Sequence, residues 1–139
     1  MTPTEALNAA GQSLWLDNIT RPMLDDGTLA GYIDELSVTG LTSNPTIFDK
    51  AIEAGDAYDE QIAELGADSG LADEKLFFAL AVDDLRRAAD LFAGVHERTA
   101  GLDGFVSLEV SPELAFDTSG GTFAQARELH DRMERPNVY

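Results

Sequence analysis

The stretch Val38-Thr39-Gly40-Leu41-Thr42-Ser43-Asn44-Pro45-Thr46-Ile47-Phe48 constrains the fold more than any other part of the chain. Residues 38–42 are a short β-prone run. Asn44 followed by Pro45 reads as the N-cap and first position of a helix, because proline lacks the N–H that a first turn leaves unpaired anyway. A strand therefore feeds a helix through a short polar turn. In a βα unit that turn lies at the C-terminal end of the strand, where parallel sheets and barrels collect their chemistry. Asn44 is thus a helix cap by its local pattern and a candidate site residue by its position.

Two further runs repeat the theme. Residues 13–19 are nearly continuous apolar sequence of strand length, the pattern of a strand buried on both faces, with Asp17 at the far end. Residues 105–111 alternate as a third strand carrying Glu109 between Leu108 and Val110, and Pro112 closes it. Residues 135–139 look like a fourth strand just beginning. Helical patterns fill the intervals. Thr2-Pro3-Thr4-Glu5 is a capping box opening a helix to about Ala10, and Met23, Leu24, Leu29, Ile33 and Leu36 space out one amphipathic helix despite Gly27 and Gly31. Residues 45–51 and 56–65 form two more. From Ala72 a longer helix carries an apolar stripe of Leu76, Phe77, Leu80, Leu85, Ala88, Ala89 and Phe92, with Asp83, Asp84, Arg86, Arg87 and Asp90 on its wet face. Thr122-Phe123-Ala124-Gln125 reads as another capping box, opening a helix to about Met133. His96 and His130 read as capping or solvated groups, since no second His or Cys stands at metal spacing.

Composition narrows the function classes. The 139 residues carry 26 acidic and 9 basic side chains, a formal charge of -17, so the field of the chain repels nucleic-acid backbones and anionic membrane faces. Anionic sugar phosphates would be repelled too, unless a local Arg or Lys outweighs that field. The two lysines, Lys50 and Lys75, fall in helices of the outer layer, where an ammonium is solvated. There is no Cys, hence no disulfide, thiolate metal site or Cys nucleophile, which together with the absence of a signal-peptide pattern suits a cytoplasmic location. No apolar run approaches the ~18 residues of a membrane span. One domain over residues 1–139 is the expectation.

Each strand ends in a polar residue: Asp17, Asn44 and Glu109. Parallel strands lie ~4.8 Å apart, so three neighbouring strand ends can converge on one small substrate. A carboxylate at a buried strand end is costly unless it is hydrogen-bonded or used, which sets Asp17 and Glu109 apart from the many surface acids. The competing reading makes them salt-bridge partners at a barrel rim.

The residues 11–18 (Gly-Gln-Ser-Leu-Trp-Leu-Asp-Asn), 40–48 (Gly-Leu-Thr-Ser-Asn-Pro-Thr-Ile-Phe) and 106–112 (Val-Ser-Leu-Glu-Val-Ser-Pro), with Leu114-Ala115 and Asp117-Thr118 after them, resemble the N-terminal part of a transaldolase. The resemblance implies an α/β fold, the opening portion of a TIM (β/α)8 barrel with about three βα units and the start of a fourth strand. It implies transfer of a dihydroxyacetone unit between sugar phosphates in the pentose phosphate pathway, without metal or organic cofactor, through a Schiff base on a lysine. Asp17 corresponds to the acid/base carboxylate acting on the C4 hydroxyl, and Glu109 to the carboxylate that shuttles protons through a water. Asn44 corresponds to a side chain holding the donor's hydroxyls, and Thr42 lines the same pocket. The family's lysine falls a few residues past the Asn-Val-Tyr position, and a typical barrel needs ~250 residues, so the chain is expected to be inactive alone. Thr118-Ser119-Gly120-Gly121-Thr122 is one glycine longer than the family's usual loop. The alternative is a non-catalytic acidic interaction or assembly fragment that self-associates through an open barrel edge.

Overall fold

The computed structural model describes residues 1–67, 73–117 and 119–139. The expected helix start at Ala72 and the Thr118 end of the glycine-rich loop lie outside the described residues. In chain order the elements are α1 (Pro3–Ala9), β1 (Trp15–Asp17), α2 (Arg21–Asp25), α3 (Thr28–Leu36), β2 (Gly40–Thr42), α4 (Pro45–Glu53), α5 (Asp59–Ala67), α6 (Asp73–Arg98) and α7 (Gly121–Met133), with a 3-10 turn at Pro112–Leu114. Helices and parallel strands alternate, as the pattern predicts, and no described helix is long and apolar enough to cross a membrane.

Local chemistry sets most of the helix ends. Thr2 Oγ1 accepts from the Glu5 N–H at 3.2 Å while the Thr2 N–H donates to the Glu5 carboxylate at 2.5 Å, so the first capping box forms as read. The single helix expected over residues 23–36 is instead two. Thr20 caps α2, the Asp26 carboxylate then accepts the Thr28 N–H at 2.8 Å, and the chain turns at Gly27 with φ +80. The expected cap at Thr122 also moves: Thr122 lies inside α7, its hydroxyl donating to the Leu114 carbonyl at 2.9 Å. The N-cap is Gly120, and the Asp117 carboxylate accepts the Gly120 and Gly121 N–H groups at 3.2 Å each.

Strands β1 and β2 pair in parallel, with Trp15 opposite Gly40, Leu16 opposite Leu41 and Asp17 opposite Thr42. A third extended segment joins at Val106, which bridges Leu41 on one side and Val138 of a fourth segment on the other. The ladder is carried by Leu41 N–H to Phe105 O and Ser107 N–H to Leu41 O, both 3.0 Å, then Val106 N–H to Asn137 O at 3.0 Å and Tyr139 N–H to Val106 O at 2.9 Å. The third strand is shorter than residues 105–111 because Ser43 ends its regular pairing. The Ser43 hydroxyl donates to the Ser107 carbonyl at 2.8 Å, and the Ser43 N–H donates to the Ser107 hydroxyl at 3.2 Å.

Leu16, Leu41, Val106 and Val138 face the helices and join the core built on Leu85, Ala88, Ala89, Phe92 and Val95 of α6. On the opposite face the Trp15 and Tyr139 rings meet edge to face at 6.4 Å, although three ladder spacings of ~4.8 Å separate their backbones. They lean toward each other across that face. Gly40 makes room, since a Cβ there would collide with the Trp15 indole. The first strand is not buried on both faces as expected: Trp15 and Leu16 are half-buried and Asp17 is exposed.

On the charged side of α6, Asp83, Arg87 and Asp90 are exposed as expected and Arg86 is half-buried, but Asp84 departs from that reading. Asp84 is fully buried. It accepts from Arg21 Nε–H at 2.9 Å and from the Tyr58 hydroxyl at 2.8 Å, while the Tyr58 oxygen accepts the Arg21 backbone N–H at 3.1 Å. The Arg21 guanidinium also lies 4.2 Å from the Tyr58 ring centroid. Burial pushes the Asp84 carboxyl above its ordinary value against the pull of Tyr58 and Arg21. Tyr58 is drawn fully inside, and α5 begins three residues later than residues 56–65 suggest. Arg87 pairs with Asp25 at 2.5 Å, Arg86 donates to the Met133 carbonyl at 3.3 Å, and Asp90 holds Arg135 at 2.5 Å. His96 is likewise held: its Nδ1 lies 2.9 Å from the Asp103 carbonyl oxygen and its ring stands edge-on to Phe105.

Asp103 closes the N-terminal ends of the strands. Its carboxylate accepts from the Ser13 hydroxyl at 2.5 Å, the Gly104 N–H at 3.0 Å and the Trp15 indole N–H at 3.2 Å. Gly104 has φ +82, and any side chain there would run into the His96 backbone. Burial raises the Asp103 carboxyl, but these donors outweigh it and hold the group below its ordinary value of 3.8.

Two measurements check these networks. Asp84→Ala leaves the Arg21 charge half-enclosed without a partner and costs about 3–5 kcal/mol in denaturant unfolding, against about 1 kcal/mol for Tyr58→Phe; equal, small losses would count against the network. Because its folded value is depressed, Asp103 contributes stability that is present above 3.8 and lost as pH falls through the folded value. Asp103→Asn therefore flattens the fall of stability below that pH.

Candidate active site at the strand ends

Side chains alternate along a strand, so the register that turns Leu16, Leu41 and Val106 toward the helices turns Asp17, Thr42 and Ser107 to the other face. Two residues farther along, by the same alternation, come Asn44 and Glu109. Asp17, Asn44 and Glu109 line one cavity of about 510 Å³, together with Pro45, Thr46, Ile47, Lys50 and Pro112. Asp17 and Glu109 are both solvent-exposed, and neither pairs with a cation within 4.0 Å among the described residues. Among the described residues they make no salt bridge of the kind the competing reading supposes.

Each candidate is held differently. Thr42 is absent from the cavity lining; its hydroxyl donates to Asp17 Oδ1 at 2.7 Å, fixing the carboxylate and leaving Oδ2 open. Asn44 Oδ1 accepts the Ile47 N–H at 3.0 Å, so the side chain does cap α4. That bond uses the amide oxygen. The amide nitrogen, a donor of two protons, has no hydrogen-bond partner among the described residues, and Asn44 is one of the residues that line the cavity. Glu109 stands on the extended segment just before the Pro112–Leu114 turn. Glu109 also borders a second open space of about 450 Å³, lined by Leu108, Val110, Ser111, Leu114 and Thr122 among others.

Lys50 was not among the residues that the strand-end pattern singles out. It sits on an exposed helix as expected, yet it lines the same cavity. The signal was present in the spacing: Thr46 and Lys50 are one helical turn apart, so a helix that offers the first to a site offers the second. Two carboxylates, one amide and one ammonium thus face a single space, a set suited to holding a polyhydroxylated molecule and moving protons on it. No described cluster of His, Cys, Asp and Glu could hold a metal ion.

A family model described as Transaldolase/Fructose-6-phosphate aldolase matches residues 14–139. Among curated relatives, a transaldolase of Kocuria rhizophila is 46% identical over 137 residues, covering 99% of this chain and 37% of that protein. A transaldolase of Thiobacillus denitrificans is 47% identical over 138 residues, and one of Thermobifida fusca 47% over 137, again with 99% of this chain and 38% and 37% of theirs. The chain therefore spans little more than a third of the length of the relatives it matches.

The cap and the cavity roles of Asn44 separate by substitution. Asn44→Ala removes the bond to the Ile47 N–H and lowers unfolding stability by about 1 kcal/mol, whereas Asn44→Asp keeps an acceptor at the cap and stays within about 0.5 kcal/mol. Equal losses in thermal or denaturant unfolding would show that the cap is not what the side chain contributes.

Proposed function

Because the chain belongs to the transaldolase/fructose-6-phosphate aldolase family, we propose that its strand ends form part of the active site of a transaldolase acting on sugar phosphates. The reaction passes a three-carbon dihydroxyacetone unit from sedoheptulose 7-phosphate or fructose 6-phosphate to an aldose phosphate, a step of the pentose phosphate pathway. The observation that carries this reading is the single cavity shared by Asp17, Asn44 and Glu109. The four parallel segments are then the opening strands of a (β/α)8 barrel, and a closed barrel covers the apolar groove that Leu108, Leu129, Val138 and Tyr139 border at the outer edge.

The chemistry distributes over these residues as follows. A lysine on the fourth barrel strand, beyond Tyr139, forms a Schiff base with the ketose carbonyl, and its iminium accepts the electron pair as C3–C4 breaks. The C4 hydroxyl must lose its proton in the same step. Asp17 takes it through Oδ2, the oxygen that Thr42 leaves open, and returns it when the acceptor aldehyde binds. The Asn44 amide nitrogen holds the donor's hydroxyls, its oxygen being tied to the α4 backbone. Glu109, open to solvent, exchanges protons through a water while the Schiff base forms and hydrolyses. No cofactor is required, since the iminium itself is the electron sink.

In an enzyme that carries these residues within a whole barrel, Asp17→Ala lowers kcat by about 10²–10⁴ with little change in KM. A change confined to KM would remove Asp17 from the acid/base role. The 139-residue polypeptide by itself has no transaldolase activity, because Lys50 and Lys75 are both exposed on helices and neither stands on a barrel strand. Incubation with fructose 6-phosphate and borohydride, followed by mass measurement, is expected to give no reduced adduct; a stoichiometric adduct would make one of these lysines the nucleophile.

A further inference from the structure

We propose that the Asp26-Gly27 step, at the corner between α2 and α3, is a site of spontaneous isoaspartate formation in this chain, which makes it a substrate for carboxyl methyltransferases that act on isoaspartyl groups. The inference concerns the helical layer and stands whether or not the strand-end cavity acts on sugar phosphates.

The chemistry needs a carboxyl group, the backbone nitrogen of the next residue and room for the two to meet. That nitrogen attacks the aspartyl Cγ, its proton and the hydroxyl of the protonated carboxyl leave as water, and a succinimide ring closes. Water then adds back at either ring carbonyl. Opening at Cγ restores aspartate. Opening at the backbone carbonyl of the aspartyl residue leaves the chain running through Cβ and Cγ beside a free α-carboxylate, with the net mass unchanged. Glycine after the aspartate favours closure, because no Cβ crowds the attacking nitrogen. The chain holds this dipeptide twice, at Asp26-Gly27 and at Asp103-Gly104, in opposite surroundings.

Asp26 and Gly27 are both exposed. Among the described residues the Gly27 N–H has no acceptor, and nothing lies within 4 Å of where a Gly27 Cβ would stand. Asp26 has φ -89 and ψ -2, so closure requires ψ to leave that helical value. The rotation is cheap here: α2 ends at Asp25, Gly27 at φ +80 has the freedom to compensate, and the side chain gives up one bond, from the Thr28 N–H to Asp26 Oδ1 at 2.8 Å. At Asp103 each condition is reversed. That residue is buried, and its carboxylate is held by Ser13 and Trp15. The Gly104 N–H is shared between the Thr39 carbonyl and the Asp103 carboxylate, at 3.0 Å each, so its proton stands between the nitrogen and Cγ. Gly104 is also packed against the His96 backbone. Reaction at Asp103 therefore waits for the strand entry to open, and the scarcity of that opened form suppresses it. At Asp26 the product adds a backbone carbon to the corner and takes the acceptor of the Thr28 N–H from the start of α3, whose N-cap Gly27 has no side chain to replace it.

The test ages the folded 139-residue chain at neutral pH, well below its unfolding midpoint, beside a sample unfolded in urea. Isoaspartate is counted by methyl transfer from labelled S-adenosylmethionine with a purified isoaspartyl methyltransferase. It is located by electron-transfer fragmentation, which tells the β-linked residue from aspartate of the same mass. In the folded chain isoaspartate accumulates at Asp26 at least about tenfold faster than at Asp103, because the second site reacts only after opening. In urea the two rates come within about threefold of each other, since both glycine N–H groups are then solvated. Asp26→Glu, whose longer side chain does not close this ring, removes the signal at residue 26 and leaves that at Asp103 unchanged. Equal rates at the two sites in the folded chain, reaction at Asp26 in urea but not in the folded chain, or methyl acceptance undiminished in Asp26→Glu overturns the proposal. The comparison of the two sites uses the unaltered chain, so it decides the matter even if the variant folds poorly. Methyl acceptance is independent of turnover, and an Asp17→Ala enzyme with kcat intact would remove the catalytic reading without touching this one.

Discussion

One carboxylate holds the strands in step. Asp103 receives Ser13 and Trp15 from the first strand's entry and the Gly104 N–H from the third strand's, and the Gly104 N–H also reaches the Thr39 carbonyl ahead of the second strand. Three segments distant in sequence are thereby fixed at one height. Register matters here because side chains alternate: a slip of one residue would turn Leu16 into the cavity and Asp17 into the helices. The meeting of Asp17, Asn44 and Glu109 at the far end depends on this anchoring at the near end. Burial alone would disfavour the charge on Asp103, and the ring of donors is what makes an ionised group tolerable there.

A second constraint acts in the helical layer. Arg21, Tyr58 and Asp84 come from three places in the chain and close on one another beneath the protein surface. A buried ion pair contributes little net stability compared with well-packed apolar residues, but removing one partner is costly. Its effect here is positional: α2, the start of α5 and the long α6 are locked in one relation, and the sheet packs against α6 through Leu41 and Val106. The site end of the strands remains open and lined with exposed carboxylates, while its supports are buried and saturated with hydrogen bonds. A rigid base with a solvated rim suits a site that exchanges polar substrates.

Much of this was legible because it is local. The Thr2 capping box, the Asn44-Pro45 helix start and the apolar stripe of α6 are written within a few residues, since a cap bonds its own first turn and a stripe repeats with the helix. The strand ends at Asp17, Asn44 and Glu109 were legible for a related reason. A polar residue after an apolar run marks where a strand leaves the core, and parallel strands leave it at the same edge. The family resemblance rests on those same local segments, and the match over residues 14–139 agrees with it.

What only the tertiary structure decided is which polar side chain meets which. Asp83 and Asp84 are neighbours in sequence, yet Asp83 is exposed while Asp84, one turn from Leu80, Ala81 and Ala88, is enclosed, and the partner that makes its charge tolerable there, Arg21, lies 63 residues away. The arrival of Lys50 at the cavity depends in the same way on how elements pack. Local sequence sets the backbone bonds within an element and the face it buries; the partner across the gap is set by how elements separated along the chain pack, and no window of a few residues contains both sides of that contact.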